Sequence, residues 1–528
     1  MSGIAMFEGP QSQSNIQVII HSNTIELKEL ANKLVFLKVD AQINSIPSAT
    51  LDFAIPYTVN TELEQNADVS ICQLGTQLTI EYLDNRQRKI LFNGIITDRT
   101  FSIHNNHVIF SLTLKHKLVK LTSMIRSQVF LDMSTSDIIN KLCLASESTV
   151  KNDMFSSERH EQRVQFRCSD WQMLRHCLDM NSAWLIAGVN DIRIFEPELS
   201  LSPDHVLQAK DGLLMEKAKW QFSLLEQPNN IKVTAWDIDS QALISALGQH
   251  KNLVSGGLAE GKSNKLKDDH WVIGLGTSPS KNTLSNHVNG LLLKYQLGYL
   301  RGEFTTQGSM AYQLGQTLKL SGFGKGVDGS GIITGLVHVI TPSKWSTSVK
   351  MGGHGMTSTM STVPSMNGIQ PGIVASYARP DPKDRFRIKV HLPVLGSDKE
   401  NSYIWARFAM PYASQDGSFI CYPEEGDEVI VSFYENNPDY AVIIGALHNP
   451  KNPPLVNPGE DRGLKGWETK KAKLQVNTQK NSIHIHAGDK SAISMDPSNP
   501  VKIDSDNGVS IKGKSGVTIK GDKIDLIK

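Results

Sequence analysis

The last fifth of the chain, from Lys473 to Lys528, carries a repeat too meagre to hold itself together. Apolar pairs one residue apart recur along it: Leu474/Val476, Ile483/Ile485, Ile493/Met495, Val501/Ile503, Val509/Ile511, Val517/Ile519 and Ile524/Leu526. From Val501 to Val517 the step is eight residues each time, and elsewhere it drifts slightly. Alternation of period two places each pair on one face of a short strand. Gly508, Gly513, Gly516 and Gly521 fall between pairs, where corners demand unusual backbone angles. The intervening Lys, Ser, Asp, Thr and Asn suit water. One such strand buries two side chains and is unstable alone, whereas stacked repeats share a continuous core. The expectation is a β-helical needle in which three copies wind together, burying Val501, Ile503, Val509, Ile511, Val517 and Ile519 about a common axis. The alternative is an ordinary meander at the end of a globular domain.

The chain has 528 residues, enough for three or four domains. Lys+Arg 54 against Asp+Glu 53 leaves it almost neutral, which argues against a nucleic-acid binder driven by phosphate contacts. Five cysteines, Cys72, Cys143, Cys168, Cys177 and Cys421, are scattered with no C-x-x-C pair. They read as small buried hydrophobes in a reduced environment. Met1–Pro10 lacks a basic region followed by an apolar stretch, so no signal peptide is expected and synthesis is placed in the cytoplasm.

Upstream, residues from Ile16 to Lys120 read mostly as strands, for example Leu34–Val39 and Val108–Leu114. Two helices follow. Thr135-Ser136-Asp137 caps one carrying Ile138, Ile139, Leu142 and Cys143; Ser169-Asp170-Trp171-Gln172 opens another carrying Leu174, Cys177 and Leu178. An internal repeat is visible. Gln73-Leu74-Gly75-Thr76-Gln77-Leu78-Thr79-Ile80 matches Gln313-Leu314-Gly315-Gln316-Thr317-Leu318-Lys319-Leu320, and downstream Gly94 is aligned with Gly335. Two related β-barrel-like domains are the simplest account. Three copies of such a chain would place six similar units in a ring, able to face a sixfold partner on one side and a threefold partner on the other.

A third β domain carries the most specific pattern: Asp381-Pro382, Arg385, Leu392-Pro393, Trp405-Ala406-Arg407, then Pro423-Glu424-Glu425-Gly426-Asp427-Glu428-Val429-Ile430-Val431-Ser432-Phe433, Asp439, and Ile443-Ile444-Gly445-Ala446-Leu447. Pro423 and Gly426 suit a tight turn, and Val429, Val431 and Phe433 share one face of the strand after it. This segment resembles the OB-fold domain of the phage baseplate spike family, which includes VgrG and phage-tail-like injection particles. Arg167–Leu174 is similar to a helix start common in the hub of that family.

The resemblance implies a mainly β chain: a duplicated β-barrel hub with some helices over 1–350, a linker over 351–367, an OB-fold collar over 368–448, a proline-rich linker over 449–472 and the trimeric needle over 473–528. It implies a homotrimer that docks on an inner tube protein, contacts baseplate proteins and presents Ile524 and Leu526 to a PAAR-like tip protein. The implied role is puncture of a target envelope on sheath contraction, with transient membrane contact and with release of the particle from the cell expected. A type VI secretion VgrG, a trimeric carbohydrate-binding adhesin and a cell-wall hydrolase spike are the alternatives.

No catalytic, cofactor or metal site is expected. Glu158-Arg159-His160-Glu161 lacks partners and reads as a solvated loop. Gly322–Gly326 lacks the G-K-[ST] of a phosphate loop and reads as a hairpin between strands. His484 and His486 share a strand face with metal-ligand spacing, but alternation turns them outward if Ile483 and Ile485 point inward. The OB segment mixes Arg379, Arg385, Arg387, Lys389 and Arg407 with Asp381, Asp384, Glu424, Glu425, Asp427 and Glu428, which suits a structural collar better than a nucleic-acid groove.

Overall fold

The strand Ser48–Pro56 shows why the first part of the chain becomes a sheet. Ala49, Leu51, Phe53 and Ile55 alternate inward, and they meet Phe110, Leu112 and Leu114 from a neighbouring strand in one apolar cluster. The structure is a computed structural model and describes residues 17–56, 66–84, 87–104, 107–152, 154–155, 158–209, 215–225, 227–259, 271–353, 365–396, 401–525 and 527. These form two compact units, Met1–Gly445 and Ala446–Lys528.

The first unit begins with β1 (Val18–Ser22), β2 (Leu34–Gln42), β3 (Ser48–Pro56), β4 (Gln77–Asp84), β5 (Gln87–His104) and β6 (His107–Lys115). Two paired strands and two helices follow: β7 (Ile125–Ser134), α1 (Thr135–Cys143), β8 (Arg159–Ser169) and α2 (Asp170–Asp179). Then come β9 (His205–Gln208), β10 (Met215–Phe222), α3 (Lys281–Gly298), β11 (Leu300–Gln307), β12 (Thr317–Ser321), β13 (Gly329–Thr341) and β14 (Lys344–Gly352).

Both short helices start with a reciprocal capping box, Ser134 with Asp137 and Ser169 with Gln172. The first cap is therefore Ser134, one residue before the expected Thr135. Between β10 and β11, α3 packs on a three-stranded sheet through Val233, Leu284, Val288 and Leu292.

A 13-stranded sheet runs through the unit. One half has the order β2-β3-β6-β5-β4-β1, and the other has β10-β11-β14-β13-β12-β9. Each label in the second order is the first plus eight, so both halves follow the same path along the chain. The halves join where β13 pairs with β2.

The repeat is the same structure twice. Gly75 and Gly315 both have positive φ, +86° and +81°. Each donates its N–H across the hairpin, to Ile96 O and Ile333 O at 2.9 Å. Each acceptor residue returns a 2.9 Å bond, to Thr76 O and Gln316 O. The next residue is a threonine at a bulge in both copies. Thr97 and Thr334 each send a hydroxyl 3.3 Å to the facing strand, at Thr113 O and Lys350 O.

One expected equivalence shifts. Leu78 faces Gly94 and Leu318 faces Gly331, so the counterpart of Gly94 is Gly331 rather than Gly335. Counting from glycine to glycine misled because the second copy has shorter paired strands around a longer loop. That loop holds Gly322 and Gly324 at positive φ and joins β12 to β13 as a hairpin.

The barrel closes from β15 (Gln370–Val374), β16 (Ile388–His391), β17 (Tyr403–Phe408), β18 (Glu428–Phe433) and β19 (Ala441–Leu447), in the order β15-β16-β17-β19-β18. This is the five-stranded OB arrangement. Gly426, at φ +89°, turns the chain into β18, with Asp427 N bonded to Glu424 O. Val429, Val431 and Phe433 then point into the core.

The second unit is a five-stranded antiparallel meander: β20 (Leu464–Glu468), β21 (Ala472–Asn477), β22 (Ser482–Ala487), β23 (Ser491–Asp496) and β24 (Asn499–Ser505). β20 lies inside the stretch expected to be a linker over 449–472. Trp467 opposite Leu474 gives it a cross-strand partner that composition did not suggest. From 506 to 525 there is no strand. Of the four corner glycines, Gly508 and Gly516 have positive φ. At Gly513 the constraint is space, since a Cβ there would lie 2.3 Å from Gly516 O.

Candidate functional surfaces: the barrel junction and the tail face

The antiparallel pair β7–β8, a separate two-stranded sheet, packs against the barrel. Val129, Val164 and Phe166 from these strands belong to the same apolar cluster as Val374, Ile404, Val429 and Val431 of the barrel. Polar groups then fix the register. The Gln162 side chain bonds both backbone groups of Trp405, accepting from its N–H at 2.8 Å and donating to its C=O at 3.2 Å. It also reaches Asp439 O at 2.7 Å.

Asp439, the late aspartate of the barrel pattern, closes the junction. Its carboxylate accepts from Arg163 Nη1 at 2.5 Å and from Val164 N at 2.8 Å. Arg163 is buried. Burial alone would lower its pKa, but the Asp439 carboxylate beside it outweighs that and holds it above the usual value.

A second charged group lies alongside. Arg387 forms a bidentate pair with Asp381, at 2.9 and 2.6 Å, and reaches Glu161 at 2.6 Å. Arg385 spans Glu161 at 2.9 Å and Asp239 of the α3-bearing insertion. Three separate parts of the chain are thus tied at one point. The run Glu158–Glu161 is not a solvated loop: Arg159–Glu161 opens β8, and Glu161 bridges both arginines. The signal that could have found it was the Val164/Phe166 alternation, which extends back to Gln162 and His160. Sequence reasoning missed Glu161, Gln162 and Arg163 and quoted Asp439 without a role.

Two titratable groups here make the junction acid-sensitive. Burial opposes ionisation of Asp381, but hydrogen bonds from the Arg387 side chain and from the Lys383 and Arg387 N–H groups win and lower its pKa from 3.8 to about 2. His160, 2.8 Å from the Thr135 hydroxyl, is lowered from 6.5 to about 3, by burial first and then by Arg163. In each case the unfolded chain binds the proton more readily, so stability falls as pH falls. For His160 the loss begins below 6.5 and continues towards 3. For Asp381 it begins below 3.8 and ends near 2. Each group contributes about 1.4 kcal/mol per pH unit within its window. Urea melts followed by tryptophan fluorescence at pH 7.5, 5.5 and 3.5 should show this decline; equal stability at the three values contradicts the assignment.

The tail presents the other surface. Trp467, Leu474, Ile485, Ile493 and Ile503 form one continuous cross-strand row, and Val476, Ile483 and Met495 form a second on the same face. Both rows are open. Within the seven pairs, the exposed members range from 37% for Ile483 to 66% for Ile511. Of the expected core residues, Val501 and Ile503 lie on β24, whereas Val509, Ile511, Val517 and Ile519 lie beyond it; all six are exposed in the single chain. Ile524 is exposed, and Leu526 lies outside the described residues. His484 and His486 sit on the opposite face, across from Gln475 and Lys473. Among the described residues no group of three or more His, Cys, Asp or Glu is placed to hold a metal ion. Four cysteines are buried as expected, but Cys421 is exposed.

The family described as the Alg8 N-terminal domain matches residues 12–342, more than half of the chain. The chain belongs to that family. The type VI secretion system/phage-baseplate injector OB domain matches residues 370–448, which contain the barrel. The VgrG-like character of the chain rests on further likenesses. The type VI secretion system spike protein VgrG1c of Pseudomonas aeruginosa is 40% identical over 65 residues, 12% of this chain and 9% of that protein. The actin cross-linking toxin VgrG1 of Vibrio cholerae is 30% identical over 89 residues, 16% of this chain and 8% of that protein. The aligned stretches thus span under a tenth of these relatives. Among solved structures, the Francisella PdpA–VgrG complex in its half-lidded form has TM-score 0.59 at 11% identity, covering 93% of this chain and 88% of the other. The E. coli c3393 protein, described as a type VI component similar to the T4 tail proteins gp27 and gp5, has TM-score 0.52 at 12% identity, covering 79% and 97%. The Alg8-family chain therefore has a VgrG-like spike fold. Among its described residues no helix is long and apolar enough to cross a membrane.

Proposed function

We propose that this chain is the non-enzymatic, homotrimeric spike of a contractile injection system. The observation that carries the reading is the tail face: two aligned apolar rows, open to water in one chain, on strands too short to form an independent core. Three such faces turned inward supply one another's interior. The needle so formed resists bending, because bending would break several ladder bonds together, and few free edges remain.

The two halves of the sheet, repeated in three chains, present six similar units to the sixfold inner tube, and baseplate proteins hold the hub. The tip around Ile524 and Leu526 takes a PAAR-like protein. Sheath contraction drives the rod through the target envelope, with transient membrane contact and no catalytic step. Assembly takes place in a particle released from the cell. The names of the curated relatives favour a second reading, a type VI VgrG used from within a living cell. Intact particles recovered from cell-free culture medium support the first; sheath and spike confined to intact cells support the second.

The trimer is tested directly by light scattering on the purified chain combined with low-resolution imaging. The expected result is a rod-bearing particle of three times the 58.3 kDa chain mass. A monomer with a folded, independent tail overturns it.

A further inference from the structure

Between β17 and β18 the barrel extends a hairpin that its own core does not use. Ala413–Ser414 pairs with Gly417–Ser418, and Phe419 N bonds Tyr412 O at 2.9 Å. Tyr412, Phe419, Ile420 and Tyr422 are all exposed, Ile420 at 77%. From Ala409 to Pro423 the only charged residue is Asp416. Aromatic enrichment with loss of charge marks the centre of a protein interface rather than a solvated loop.

The root of the hairpin fixes where it stands. Ala409 N bonds Ile443 O at 2.9 Å, and the Tyr422 ring lies 6.1 Å from that of Phe408. Ile443 is on β19, the strand through which the chain leaves the barrel, and the next residue, Ile444, is itself exposed. The apolar hairpin is therefore rooted beside the strand that leads out of the barrel.

We propose that the Tyr412–Tyr422 hairpin is a clasp that packs against a second copy of this chain. The proposal rests on the trimer reading above. Tails that share a core bring their barrel exits together by covalent continuity, so the surface nearest the exit meets another copy rather than solvent. A specific interface takes about 800 Å² and 20–30 residues from each partner, so a hairpin of this size is its aromatic anchor and not its whole extent.

The chain carries its own probe. Cys421 lies within the hairpin and is the one exposed cysteine of the five. The other four are buried, and burial pushes their thiols up to about 11 or 12. Maleimide labelling of the native full-length protein thus reads Cys421 alone. The comparison is the wild-type oligomer against a full-length variant made monomeric by tail substitutions. Labelling in the oligomer should be roughly tenfold slower or more, as expected for a site from which water is excluded. In addition, Ile420→Asp should shift the monomer–oligomer midpoint about tenfold or more towards higher concentration, with an unchanged circular dichroism spectrum of the monomer. Equal labelling rates in trimer and monomer overturn the clasp while the trimer reading stands. Protection that appears only when anionic lipid vesicles are added assigns the hairpin to a membrane and also overturns it. A wild-type chain that stays monomeric removes the trimer reading, and the clasp with it.

Discussion

Replacing Val509, Ile511, Val517 and Ile519 together by Asp should abolish the proposed trimer and leave the first unit folded. In the single chain all four side chains are exposed, so the substitutions cost the monomer little, within about 0.5 kcal/mol each. In a shared core the same change places four carboxylates per chain against the same positions of two other copies. An ionised carboxylate in an apolar interior costs many kcal/mol unless it is neutralised, and like charges nearby deepen the penalty. No plausible gain elsewhere offsets such a loss, so the effect on assembly is all or none. Sedimentation should report a single-chain mass. The far-ultraviolet spectrum and the melting of unit Met1–Gly445 should stay as in the wild type. A variant that remains trimeric and rod-shaped refutes the packing scheme. The matched control is Lys512→Asp and Lys520→Asp, at intervening positions, which should leave assembly intact.

Much of the architecture could be read from the sequence because local signals and global fold agree. The Val429/Val431/Phe433 alternation, the Gly426 turn and the two helix starts each rest on contacts within a few residues. The repeat around Gly75 and Gly315 was legible for the same reason: a left-handed glycine at a hairpin root leaves a fixed pattern of neighbours. Where the reading failed, the deciding partner was distant in sequence. Glu161 looked solvated because Arg385 and Arg387 lie more than 220 positions away. Leu464–Glu468 looked like linker because its partner strand, not its own composition, makes it a strand. Gly335 was mispaired because the two hairpins trade strand length for loop length. The tail lies between these cases. Its alternation was plain, and the register aligns the apolar residues into rows, but among the described residues that face stays exposed.

Asp439→Ala should cost the first unit up to about 3 kcal/mol, because it leaves the largely buried Arg163 without its counter-charge. That is a large fraction of the 5–15 kcal/mol typical of a domain. The loss has two sources, and two further variants separate them. Asp439→Asn keeps an oxygen for the Val164 N–H and removes only the charge, so it should recover the part due to the orphaned amide, about 1–3 kcal/mol. Arg163→Met combined with Asp439→Ala removes both charges and fills part of the space. Replacing a whole buried pair by apolar groups is often near neutral, so the double variant should be more stable than Asp439→Ala alone. Urea denaturation gives the totals, and hydrogen exchange at the Val164 amide locates the loosening at the junction between β8 and the barrel. If Asp439→Ala proves neutral, or if its cost and that of Arg163→Met alone simply add in the double variant, the pair does not tie the barrel to strands β7 and β8. The register would then rest on the Gln162 bonds to Trp405 and the Glu161 bridge to Arg385 and Arg387, beside the apolar contact of Val129, Val164 and Phe166.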